Sequence, residues 1–277
     1  MLTQIFFLKK VLDIPVKFIE KKPITLLIEI SKVGVALLWV ANNPKKIIGA
    51  EVFSLAEQES MDNLLSSILA EIRQNKNKPE KIKLFYDTPE SLLIPNTFFK
   101  NEIEAETLNL MFGEDDDTVV KSEQINELNI QHIYRISKNI ESLLISNFPK
   151  AKFCHSTTKQ LKTDVMVNSM ICMMFNNVIK VFLYKSGQLQ IVKHFSFTTH
   201  EDVAYSLLNT CSVYGVDPSD VQLRLMGMLA KESAVYQTLH NYFLDIDFDN
   251  NASGIQMGNE FSELPKHYLA HLIELAQ

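Results

Sequence analysis

One run of elements occurs twice in this chain, and that repetition constrains its fold more than any single motif. Residues 24–30 and 34–41 are β-branched and apolar, which predicts two strands joined by a tight turn at 31–33. Asn42-Asn43-Pro44 marks a second turn, and 47–55 reads as a third strand. Met61, Leu64, Leu65, Ile68, Leu69 and Ile72 have helical spacing within 61–75, with Ser60 as N-cap. A fourth strand at 81–86 opens after Pro79. The same order returns as strands at 165–175 and 178–184 around Asn176-Asn177, a strand at 188–197, a helix at 200–214 and a strand at 221–226. Phe53-Ser54 then matches Phe195-Ser196, Leu64-Leu65 matches Leu207-Leu208, and Pro79 matches Pro218, at an offset of about 140 residues.

After the second copy, a helix is expected over 232–242, a strand over 243–248 and a helix over 263–276. Three strands, a helix, a strand, a helix, a strand and a helix make a ribonuclease-H-like unit. The fold class is therefore α/β, with two ribonuclease-H-like halves in tandem, the actin-like ATPase architecture, and an insertion in the first half. The first half is expected over 1–160, with the insertion at about 89–150, and the second over 161–277. Within the insertion we expect a helix near 96–112, an acidic turn at 114–117, strands near 118–121 and 130–136, and a helix over 137–148. Insertions on a shared scaffold often carry partner contacts.

Three stretches carry a family resemblance. They are Phe85-Tyr86-Asp87-Thr88-Pro89-Glu90-Ser91-Leu92-Leu93-Ile94-Pro95, His132-Ile133-Tyr134-Arg135-Ile136, and Phe195-Ser196-Phe197-Thr198-Thr199-His200-Glu201-Asp202-Val203-Ala204-Tyr205. Here the chain resembles an uncharacterised bacterial family, a domain of unknown function with an actin-like fold, from about Ile24 to the C-terminus. The resemblance implies the fold and assigns no activity.

Composition narrows the classes of function. A net charge of −6 disfavours general binding to a phosphate backbone, so no nucleic-acid partner is expected. The basic stretch at 76–83 reads as a solvated turn. Three widely spaced cysteines, Cys154, Cys172 and Cys211, form no CxxC pair, which points to a reducing, cytoplasmic location. The apolar patch at 5–8 precedes its lysines, unlike a secretory leader, and reads as a piece that packs. No apolar run is long enough for a membrane segment.

An actin-like nucleotide site needs an Asp and a Gly in each half's hairpin, so that backbone N–H groups reach phosphates and a carboxylate organises Mg²⁺. The first hairpin, Glu29-Ile30-Ser31-Lys32-Val33-Gly34, has no Asp, and its Gly34 comes late. The second, around Asn176-Asn177, has neither. The adenosine side needs a Gly pair, and here Gly227 is followed by Met228. Ser31, Gly34, Asn176, Asn177 and Gly227 are the residues left to hold a nucleotide. Glu29 and Asp87 are the candidate catalytic carboxylates, each with a plainer reading: Glu29 as a half-exposed strand residue and Asp87 as a turn cap. With Glu71 they are also the carboxylates a two-metal nuclease would use.

Other groupings are weaker. His267 and His271 share a helical spacing near Glu274, but read as surface histidines without a metal motif. Cys154-His155 suggests a nucleophile, yet a strand cysteine is more often a small buried hydrophobe. Glu114–Asp117 lacks the spacing of a calcium loop. The sequence reading is an actin-like scaffold or interaction module without nucleotide chemistry, no resident cofactor or metal, and a protein partner reached through 89–150. The alternatives are a divergent ATPase or phosphotransferase binding ATP and Mg in an interlobe cleft, and a metal-dependent nuclease.

Overall fold

The computed structural model describes residues 9–17, 22–163, 165, 167–249 and 254–277, so the apolar patch at 5–8 lies outside it. The chain divides into two units. Unit 1 holds residues up to Thr158 together with Gly254–Glu263 and Ala276, and unit 2 holds Lys159–Ser253, Leu264–Leu275 and Gln277.

Unit 1 runs β1 (Lys10–Ile14), β2 (Ile24–Ser31), β3 (Gly34–Ala41), β4 (Lys46–Ser54), α1 (Met61–Gln74) and β5 (Lys81–Asp87). Then come β6 (Ser91–Pro95), α2 (Glu104–Phe112), β7 (Thr118–Ile125), β8 (Ile130–Ser137), α3 (Lys138–Asn147), β9 (Lys152–His155) and α4 (Ser156–Gln160), whose last two residues fall in unit 2. The main sheet has the order β1-β4-β3-β2-β5-β9. β2, β5 and β9 are parallel, while the β2–β3 and β3–β4 pairs are antiparallel hairpins. Strands β2 to β4 are buried along nearly their whole length, which explains their continuous apolar runs. Ile24, Leu26, Ile28 and Ile30 of β2 face Leu64, Leu65, Ile68, Leu69 and Ile72 of α1 in one core. Ser60 caps α1 as expected, its side chain accepting from the Asn63 N–H.

Unit 2 runs β10 (Ser169–Phe175), β11 (Val178–Lys185), β12 (Gln188–Ser196), α5 (His200–Tyr214), β13 (Gln222–Gly227), α6 (Ala234–Leu239) and β14 (Asp245–Phe248). Its sheet order is β12-β11-β10-β13-β14. Within each unit, the strands numbered along the chain from the hairpin onward stand in the order three-two-one-four-five. β15 (Gln256–Met257) then pairs with β4 in unit 1, and α7 (Ala270–Ala276) follows. Ser186-Gly187 joins β11 to β12 with positive φ at both positions, as a two-residue type I′ turn requires. Thr199 and Asp202 form a capping box at the start of α5, and Gly215 closes it in the left-handed conformation.

The inserted elements form their own antiparallel sheet, β6-β8-β7, between the fourth and fifth strands of unit 1. α3 takes the chain position there that α6 takes in unit 2. Several elements differ from expectation for local reasons. The helix near 96–112 starts only at Glu104, because Asn96 donates its N–H to Asn129 O at 3.0 Å and its amide to Asn129 Oδ1 at 2.9 Å. Those bonds hold 96 against the β7–β8 turn. β6 itself was not foreseen. The 263–276 helix is a 3₁₀ turn at Lys266–Tyr268 followed by α7 at Ala270. Pro265 stands before that turn, and the His267 ring stacks on Phe248 with centroids 3.9 Å apart. The strand expected from 165 begins at Ser169.

Candidate functional site

In open α/β sheets, ligand sites form beyond the carboxyl ends of parallel strands. In unit 1 those ends belong to β2 and β5, where Ser31 and Asp87 are register partners. A cavity of about 270 Å³ opens beside them. It is lined by Ser31, Lys32, Asp87, Glu90, Asp115 and Arg135, over an apolar floor that includes Ile30, Met61 and Ile136. The structure thus brings together two residues named from sequence, Ser31 and Asp87, and adds others from the insertion.

Most of this chemistry is already committed. Ser31 Oγ accepts the Val33 N–H at 3.3 Å and donates to Gly34 O at 3.1 Å, so the hydroxyl closes its own hairpin turn. Gly34 is the first residue of β3 and is not among the positive-φ residues. Asp87 Oδ1 accepts from Ser156 Oγ at 2.7 Å. Lys32 is held by Glu90 Oε1 at 2.5 Å.

Arg135 is the most constrained cation. It is 4% exposed on β8, and its Nε donates to Glu90 Oε2 at 2.5 Å. Nη1 donates to Gly113 O at 2.7 Å and Asn109 Oδ1 at 3.3 Å, and Nη2 to Phe112 O at 3.3 Å. Those groups end α2, where a cation also complements the helix dipole. The Glu90 carboxyl is opposed by burial, but Lys32 and Arg135 more than offset it and hold it below its ordinary value. Stability from this cluster is therefore complete above the unfolded carboxyl pKa and falls away as pH drops through the lower folded value. As pH falls below the ordinary carboxyl range, wild type should lose stability more steeply than Glu90→Gln, in urea midpoints measured along an acid series; parallel slopes would contradict the coupling.

A second polar cluster lies at the end of β9. The Tyr134 hydroxyl and the His155 N–H both donate to Glu123 Oε1, at 2.6 and 2.7 Å, and the Cys154 thiol donates to Oε2 at 3.0 Å. His155 Nδ1 accepts the Thr157 N–H at 3.1 Å, so its proton sits on Nε2, which donates to Thr88 O at 3.1 Å. That ring is buried, neutral and fully bonded. It is no general base, and Cys154 beside a carboxylate is no activated nucleophile. Nor is Cys154 the plain buried hydrophobe expected, since it is half-buried and hydrogen-bonded.

The remaining sequence candidates are dispersed. Glu29 is 8% exposed, not half-exposed, because both faces of β2 are covered. It lies on the face of β2 opposite Ile28 and α1, whereas Glu71 sits on α1 and pairs with Lys10 at 3.3 Å. The two carboxylates stand on opposite faces of the sheet, so Glu29, Glu71 and Asp87 do not gather as a two-metal site needs. Among the described residues no three His, Cys, Asp or Glu side chains cluster to hold a metal.

In unit 2, Asn176 takes a positive φ in the β10–β11 turn. Gly227 has φ +95°, and a Cβ there would stand 2.0 Å from Met174 O on the neighbouring strand. Close strand packing alone accounts for this glycine. His267 and His271 are buried, contrary to the surface reading, and His267 precedes α7. Burial lowers the His267 pKa, and its Nε2 donates to Leu229 O at 2.8 Å. Glu274 is pushed upward by burial while Lys162 pairs with it. Burial also raises the thiols of Cys172 to about 12 and Cys211 to about 11, so both are inert.

Arg135, Glu90 and Glu123 were missed from sequence. An arginine inside the apolar run His132–Ile136 was the available signal, since a charge in a strand core needs a partner.

The family is decided by a match over residues 15–246, which takes in the first hairpin, the insertion and most of unit 2. This chain belongs to the family described as Protein of unknown function (DUF3822). No curated protein matches it. Among solved structures, this DUF3822 chain is similar to a Bacteroides thetaiotaomicron VPI-5482 protein with actin-like ATPase fold and unknown function. The TM-score is 0.74 at 16% identity, over 93% of this chain and 99% of that one. It is also similar to a chain of the PilM-PilN type IV pilus biogenesis complex, with TM-score 0.65 at 9% identity over 91% and 97%. The fold is the actin-like ATPase fold. Among the described residues no helix is long and apolar enough to cross a membrane.

Proposed function

We propose that this DUF3822 protein is a non-catalytic interaction module that keeps the actin-like fold and has given up its nucleotide chemistry. The observation that carries this reading is the Lys32–Glu90–Arg135 cluster. Both cations lining the cavity at the first hairpin are bound by one internal carboxylate, and Arg135 is spent further on the end of α2. With Asp87 and Asp115, three carboxylates there outnumber two cations. A polyphosphate would meet net negative charge and cations already paired with Glu90. Ser31 closing its own turn, and Gly227 explained by packing, support the same reading. A fold shared with a chain found in a pilus biogenesis complex fits a role in assembly.

The test is direct. Millimolar ATP with Mg²⁺ should leave the melting temperature unchanged and yield no phosphate release. Binding at micromolar ATP raises stability by about 4 kcal/mol at a thousandfold excess over Kd, a visible shift. Such a shift with turnover would establish the divergent ATPase instead.

A further inference from the structure

We propose that the outward face of α2 is a docking surface for an amphipathic helical segment of another protein, with lysine or arginine along its edges. This deepens the interaction-module reading and rests on it. α2 buries only Leu108. Thr107, Leu110 and Met111 stand within about a third of the circumference of α2, and Ile103, 39% exposed, lies just before its first turn. Leu110 is 85% exposed and Met111 60%, and Phe98, just upstream, is 75% exposed. A nine-residue helix with one buried side chain has little stability of its own. Arg135 nevertheless pins its last turn through three hydrogen bonds. The fold thus spends a buried arginine on presenting an apolar stripe to solvent.

Charge names the occupant. Residues 101–117 contain seven acids and no lysine or arginine. An apolar stripe with acidic margins favours an apolar helix with basic margins, in the helix-packing mode of recognition. It disfavours an anionic membrane surface, which attracts basic margins. It also disfavours a second copy, because a two-fold contact through this face would set those acids against themselves.

The probe is a labelled helical peptide with a leucine stripe and lysine margins, beside a twin with glutamate margins, titrated onto the full chain. The lysine peptide should bind at least about tenfold tighter than its twin and weaken with salt. Leu110→Asp with Met111→Asp should abolish that binding, while Tyr205→Asp on α5, also exposed, should leave it intact. Leu110→Ser with Met111→Ser, a milder pair, should weaken it with an unchanged circular dichroism spectrum. Equal binding of the twins, binding indifferent to the α2 substitutions, dimerisation lost in the same variants, or their loss of adhesion to phosphatidylglycerol vesicles would each overturn the proposal. ATP turnover reads out separately, so failure here and failure of the non-catalytic reading are distinct results.

Discussion

Arg135→Met is expected to lower unfolding free energy by about 3–5 kcal/mol, the cost typical of breaking a buried, hydrogen-bonded ion pair from one side. The loss has two sources. Glu90 keeps Lys32 but loses its buried partner, and the carbonyls of Phe112 and Gly113 lose their donors at the end of α2. Arg135→Lys should rescue little, because one ammonium cannot reach Glu90, Asn109, Phe112 and Gly113 together as the forked guanidinium does. Urea denaturation gives the free energy, and amide exchange locates it: protection should fall first across α2. A loss below about 1 kcal/mol, the range of exposed pairs, would show that the cluster is solvated.

Gly227→Ala comes second. The left-handed backbone costs an L residue roughly 1–2 kcal/mol. A Cβ placed 2.0 Å from Met174 O must also push β13 away from β10, and such overpacking adds about 1–3 kcal/mol. Thermal melts should therefore show a loss of about 2–5 kcal/mol, with or without nucleotide. A fully stable Gly227→Ala protein would remove the packing explanation.

What was legible in the sequence was the part of the fold governed by local rules. Alternating and continuous apolar runs, the Ser60 cap and the Asn and Gly turns identify elements without long-range information, and their repetition identifies the element order shared by the two halves. The misread parts depended on distant partners. Asn96 is held by Asn129, 33 residues away. His267 is fixed by Leu229, 38 residues away, and Glu29 is buried because the face of β2 away from α1 is covered as well. The site divides in the same way. Ser31 and Asp87 stand at strand ends that periodicity locates, so their meeting could be anticipated. That Lys32 is paired depends on Glu90, and that Glu90 is shared depends on Arg135, 45 residues further on. Spacing along the chain carries no trace of such a sharing.

β15 has a consequence for how the protein is made. β1 covers β4 from Ala50 to Phe53, while Lys46 and Ile47 pair with Gln256 and Met257. A strand near the start of the chain therefore waits for residues about two hundred positions later to complete its edge. At translation rates of about 5–20 residues per second, the nascent chain carries that open edge for roughly 10–40 s after β4 has emerged. Unpaired edges invite pairing with other chains. Slowed elongation through unit 2 should therefore raise aggregation in cells, and a fragment stopping at Thr158 would keep Lys46 and Ile47 bare permanently.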